Sequence, residues 1–163
     1  MMHNYFEVKI RYEKIDENGM NRKVTEPYLF DALSFTEAEA RTIEEITPYV
    51  SGEFTVTNIK RENFSEVFLY LDDGDYFFKA RIAFITRDEK SGKEKKTHTN
   101  VLVQANDLQQ AKDRIVEQMK GTLADYEIDR VAKTDIVDVY PYKTETAKSD
   151  IGTIDNWKYR YFS

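Results

Sequence analysis

The chain has 163 residues, a formal net charge of −6 and no cysteine, which excludes a disulfide scaffold and thiolate chemistry. An acidic balance also means that no global field draws it to nucleic acid or to an anionic membrane; a basic face would have to be local. Hydrophobic residues make up 40% and aromatics 13%, enough for a core, and no stretch approaches the ~20 apolar residues of a membrane span. Residues 1–5 lead straight into a charged strand with no apolar signal segment, so the expected setting is a soluble, cytoplasmic one.

Residues 5–14 alternate strictly, with Phe6, Val8, Ile10 and Tyr12 on one face and Tyr5, Glu7, Lys9, Arg11 and Glu13 on the other. A period of two predicts a strand with one buried face. Asn18-Gly19 then supplies a turn, and a second strand is predicted over residues 23–33. Pro27 inside it lacks an N–H, which places it at an edge or a bulge. Ser34-Phe35-Thr36-Glu37 reads as a capping box, opening a helix that Pro48 stops. Phe35, Ala38, Thr42, Ile46 and Tyr49 recur at helical spacing and predict the buried stripe. Two further strands are predicted over 53–61 and 64–70.

The same series then starts again. Phe6, Val8, Ile10 and Tyr12 reappear 72 positions later as Phe78, Ala80, Ile82 and Phe84, and Phe54, Val56 and Ile59 as Tyr126, Ile128 and Val131. Ala32, Ser34, Ala38 and Arg41 return 73 positions later as Ala105, Asp107, Ala111 and Arg114. Asp107 with Gln110 repeats the capping box, and Leu108, Ala111, Ile115, Met119 and Leu123 repeat the stripe. The fold class that follows is α+β: a tandem duplication of a ββαββ unit, each an antiparallel sheet with one helix on one face, in a pseudo-twofold arrangement. The expected domains are 1–73, 74–142 and a C-terminal tail, 143–163. Asp72-Asp73-Gly74-Asp75, at the join, lacks the ligand series of a calcium loop and reads as an acidic turn.

Chemical motifs are sparse. The histidines are His3 and His98, the second at the position where the first copy has Glu26. No glycine-rich phosphate loop, catalytic triad spacing or metal-ligand pattern is visible, so no enzyme, cofactor or metal is expected. The outward faces of the first strands carry more. Tyr5, Lys9 and Arg11 point away from the helix in the first copy, and Phe77, Lys79 and Arg81 in the second. Rings that stack on bases beside cations that track phosphates make a platform for single-stranded nucleic acid, to which Phe68, Tyr70, Tyr140 and Tyr142 would add. The alternative is a protein–protein interaction or accessory structural module, in which the same rings cement a contact. Trp157, Tyr159 and Tyr161 in the tail are candidates for strand addition to a protein partner. The lysine-rich hairpin at 90–96 is read as a solvated tip.

The runs YFEVKIRYEK, VTEPYLFDALSFTEAEAR, SGEFTVTNIKR and VYPY resemble an uncharacterised family, DUF-4494, of Bacteroidetes and their phages. The resemblance covers about residues 2–142 and is most specific over Asp31–Arg41. It brings no catalytic residues with it. It implies a DNA-associated role, such as single-stranded DNA binding in phage or mobile-element replication or recombination.

Overall fold

The computed structural model describes residues 4–142; the tail residues Trp157, Tyr159 and Tyr161 lie outside them. The elements are β1 (Tyr5–Ile15), β2 (Asn21–Asp31), α1 (Phe35–Ile46), a short 3₁₀ turn (Thr47–Tyr49), β3 (Phe54–Glu62), β4 (Phe64–Phe68), β5 (Tyr76–Arg87), β6 (Glu94–Ala105), α2 (Leu108–Gln118), β7 (Asp125–Lys133) and β8 (Val139–Tyr140). The fold is α+β, with two four-stranded sheets ordered β3-β1-β2-β8 and β7-β5-β6-β4. Among the described residues no helix is long and apolar enough to cross a membrane.

The two sheets have the same order but are not cut where the sequence copies are cut. One compact unit comprises residues 4–62 with 135–142, and the other residues 63–134. The fourth strand of each copy lies in the sheet built on the other copy's strands: β4 pairs with β6 and β8 with β2, both parallel. This corrects the all-antiparallel expectation and the packing boundaries at 73 and 74. Part of the reason is local. Asn63 alone separates β3 from β4, and one residue cannot close a hairpin, so β4 cannot return antiparallel beside β3.

In the first unit, Phe6, Val8 and Ile10 of β1 and Phe30 of β2 pack with Ala32, Ala38 and Ile46. In the second, Phe78, Ala80, Ile82, Val101, Val103 and Ala105 pack with Ala111 and Ile115 of α2 and Phe68 of β4. The helix stripes are narrower than the spacing predicts, because Phe35, Tyr49, Leu108 and Leu123 at their ends are exposed. Phe35 still meets the Phe6 ring edge-on, with centroids 4.8 Å apart.

Both N-caps form. The Ser34 hydroxyl accepts from the Glu37 N–H at 3.1 Å and the Asp107 carboxylate from the Gln110 N–H at 2.7 Å. Glu37 and Gln110 reach back to the N–H groups of Leu33 and Asn106, one residue before each cap. Arg41 and Arg114 hold equivalent places. Arg41 donates to the carbonyls of Asp31 and Pro141, and Arg114 to those of Gln104 and Asp73 and to the Asp73 carboxylate. Each arginine thus ties its helix to the exit of the second strand and to the chain beyond the fourth.

That contact explains the acidic turn. Asp73 is held by Arg114 at 2.7 Å and by Asn106 at 3.2 Å, so its carboxylate is engaged within the protein. Gly74 lies against β6: a Cβ there would come within 2.9 Å of the Ala105 nitrogen, which only glycine avoids. Pro27 shows why the β2–β8 ladder is short. Its carbonyl accepts from Val137 on the β8 side, where the ring leaves no N–H, and the next strand donor toward β8 is Leu29, bonded to Asp138.

Candidate functional site

The six residues predicted for the outward faces divide by burial. Arg11, Lys79 and Arg81 are exposed and Lys9 is half-buried, whereas Tyr5 and Phe77 retain only 7% and 3% of their surface. The stacking role of Tyr5 and Phe77 is therefore corrected: neither ring presents a face to a ligand. Alternation assigned them to the side away from the helix, but that side is dry at this end, where Leu29 and Leu102 on the neighbouring strands have no exposed surface. Three of the four proposed extensions are engaged within the protein, and Tyr142 is half-buried. Phe68 is in the core, Tyr140 stacks on Phe30 at 4.7 Å, and Tyr70 lies under the Arg114 guanidinium at 4.1 Å.

Nor is the basic pattern repeated position by position. Cross-strand register equates Lys9 with Arg81, but Lys79 with Glu7 and Arg11 with Ala83. The same register pairs Arg11 with Thr25 and Ala83 with His98, so the first-copy counterpart of His98 is Thr25 rather than Glu26.

On the second unit the cations converge. Lys79, Arg81, Asn100, Arg130, Ala132, Lys133 and Thr134 line a groove of about 420 Å³ on the face away from α2. Arg81 on the central strand faces Asn100 on β6 and Arg130 on β7. Arg130 was missed by alternation, which groups it with Tyr126 and Ile128 on the core side. A β-bulge shifts the β5–β7 register between Arg81 and Ile82, so that Asp129 is unpaired and Arg130 turns outward beside Arg81. The first unit has the same bulge, between Lys9 and Ile10, leaving Thr57 unpaired. The signal was in the sequence: Phe54, Val56, Ile59 and Tyr126, Ile128, Val131 both step by two and then by three.

Charge along this face is segregated. Toward the hairpin the cations are matched, Lys96 with Glu127 at 3.3 Å and Arg87 with Glu94 at 3.1 Å, and the His98 imidazole lies 3.3 Å from the Asp129 carboxylate. In the groove, Lys79, Arg81 and Arg130 have no carboxylate within ion-pair distance among the described residues. Lys79 holds its ammonium 5.7 Å from the Phe64 ring centre, and Lys133 at the rim lies over Tyr76. Like charges directly opposite on neighbouring strands are destabilising, by up to ~1 kcal/mol, so Arg81 facing Arg130 is a cost that an anion would relieve.

The first unit is different. Its groove of about 560 Å³ mixes Arg11 and Lys23 with Glu13 and Glu53. Its titratable cluster sits on the helix side, where the Tyr12 and Tyr28 hydroxyls donate to Glu26 at 2.7 and 3.4 Å. Burial first, then the Glu26 carboxylate, pushes the Tyr12 phenol up to about 12, and the Tyr28 phenol is raised for the same reasons. These phenols remain donors through the neutral range and buttress the sheet. No group of three or more His, Asp or Glu side chains that could hold a metal occurs among the described residues.

No curated protein and no solved structure matches the chain. The family model described as a domain of unknown function (DUF4494) matches residues 4–142, which takes in both units and the whole groove, and the chain belongs to that family.

Proposed function

We propose that the protein binds a single-stranded nucleic acid without chemical turnover, holding its sugar–phosphate backbone in the groove of Lys79, Arg81 and Arg130. The observation that carries this reading is Arg81 facing Arg130 with no acid between them. Strand pairing sets the two arginines opposite each other on one groove, and phosphate oxygens suit a guanidinium's fork of donors. Asn100, opposite Arg81, adds neutral hydrogen-bonding capacity. The net charge of −6 makes the attraction local, so affinity should be modest and steeply dependent on salt.

The test is fluorescence anisotropy with a labelled oligonucleotide across a salt series. Replacing Lys79, Arg81 and Arg130 together by alanine should weaken binding at low salt at least tenfold. It should also flatten the log–log salt slope by about 2, at ~0.7 per lost phosphate contact. Lys9→Ala with Arg11→Ala should change little, because the groove in that unit contains carboxylates. A folded protein that binds no oligonucleotide at low salt would end this reading and turn the search to a protein partner.

A further inference from the structure

We infer that Tyr76, not Phe77, is the base-stacking residue of this site, and that a second groove beside the basic one receives an unpaired nucleobase; the inference rests on the phosphate-binding reading above. Tyr76 begins β5, and among the described aromatic side chains of the second unit it is the one that remains exposed, at 41%. With Phe78, Leu108, Val131, Lys133, Asn106 and Asp107 it lines a groove of about 370 Å³. Lys133 lies on the edge strand β7 and lines both this groove, on the α2 side, and the basic one on the other face, so only that sheet edge separates them. A strand whose phosphates lie on Lys79, Arg81 and Arg130 can turn a base into it.

The groove is built for a flat, apolar ligand. Phe78 and Val131 are its buried and half-buried apolar walls, and Leu108 is exposed at its rim. The Lys133 ammonium lies 3.6 Å from the Tyr76 ring centre and holds a ring whose exposed surface offers a stacking platform. The polar groups at the rim are already engaged: Asn106 with Asp75 and Asp73, and Asp107 with the Gln110 N–H. Stacking without reading of base edges gives little sequence preference. A duplex keeps its bases stacked on one another, so the groove selects single strands. The first unit has no equivalent, since Asn4 stands at the position of Tyr76.

The experiment compares three labelled probes on the wild-type full chain: oligothymidylate, an abasic strand of equal length with the same phosphates, and a duplex. Oligothymidylate should bind about tenfold or more tightly than the abasic strand, the usual effect of one stacked base. Tyr76→Leu should bring it to the abasic level with the salt slope unchanged, and Tyr76→Phe should retain the difference. The alanine triple should weaken both single-stranded probes alike. Equal binding of the thymidylate and abasic strands by the wild type would overturn the stacking assignment and leave phosphate binding intact. Duplex binding equal to oligothymidylate would overturn the single-strand selection, and no binding of any probe would overturn both readings. The comparison of probes on the unaltered protein stands even where a Tyr76 variant folds poorly.

Discussion

In the second unit β4, β5, β6, α2 and β7 follow one another without interruption from Asn63 to Thr134, whereas the first takes its fourth strand from residues 135–142, after the whole of the second has been made. Both arrive at one strand order. A parallel edge strand beside β2 or β6 can be reached from either end of a repeat, so a duplicated sequence need not be connected twice in the same way. The chemistry differs as well. Where the first unit has Tyr12, Tyr28, Tyr140 and Glu26, the second has Phe84, Val101, Phe68 and Thr99 at the same register positions. The first unit therefore carries its titrating groups in the core layer, and the second keeps its unbalanced charge on the outer face.

The sharpest way to break this comparison is to end the chain at residue 134. The first unit then loses β8, with buried Ile136 and Val139, the Tyr140 stack on Phe30, and the Pro141 carbonyl that accepts from Arg41. Each buried apolar side chain contributes about 1.5–3 kcal/mol, so the amides of β1 and β2 should lose most of their hydrogen-exchange protection. Those of β5 and β6, in the contiguous unit, should lose much less. Equal loss in both would show that connectivity does not matter to stability.

A smaller effect separates the units by pH. The Tyr12 and Tyr140 phenols are raised to about 12 from 10.0, by burial foremost. A raised phenol binds its proton more tightly in the folded state, so its contribution is fully present below pH 10 and is lost as pH rises from 10 to 12. Discounted for the partial exposure of these rings, the loss is on the order of 1 kcal/mol. Fluorescence-monitored urea midpoints at pH 9 and pH 11.5 should therefore fall in the parent protein and fall less in Glu26→Gln, which removes the carboxylate but leaves the rings buried. Identical falls would show that burial alone, without the Glu26 carboxylate, sets the alkaline sensitivity.

The caps offer the finest comparison. Ser34→Ala and Asp107→Ala should each cost about 1 kcal/mol in urea titration. Asp107 should cost slightly more, because its charge also meets the positive end of the helix. A cost at one cap alone would show that the two helices begin differently despite matching geometry.

Sequence alone determined the elements whose causes lie within a few residues. The alternation of Phe6 to Tyr12 made a strand, Ser34 with Glu37 and Asp107 with Gln110 started helices, and the recurrence at 72 and 73 positions showed one pattern used twice. The cations at Lys79 and Arg81 were legible for the same reason, since parity in a strand decides facing. Tertiary structure decided whatever depends on distant chain. Parity cannot say whether an outward face is wet, so Tyr5 and Phe77 were read as open rings and are buried. Arg130 reached the groove only through a bulge that reverses parity, and Tyr76 became a candidate only once the ring beside it was found closed. The partners of β4 and β8 were set by which sheet edge was open, a free energy of long-range pairing that no local propensity contains.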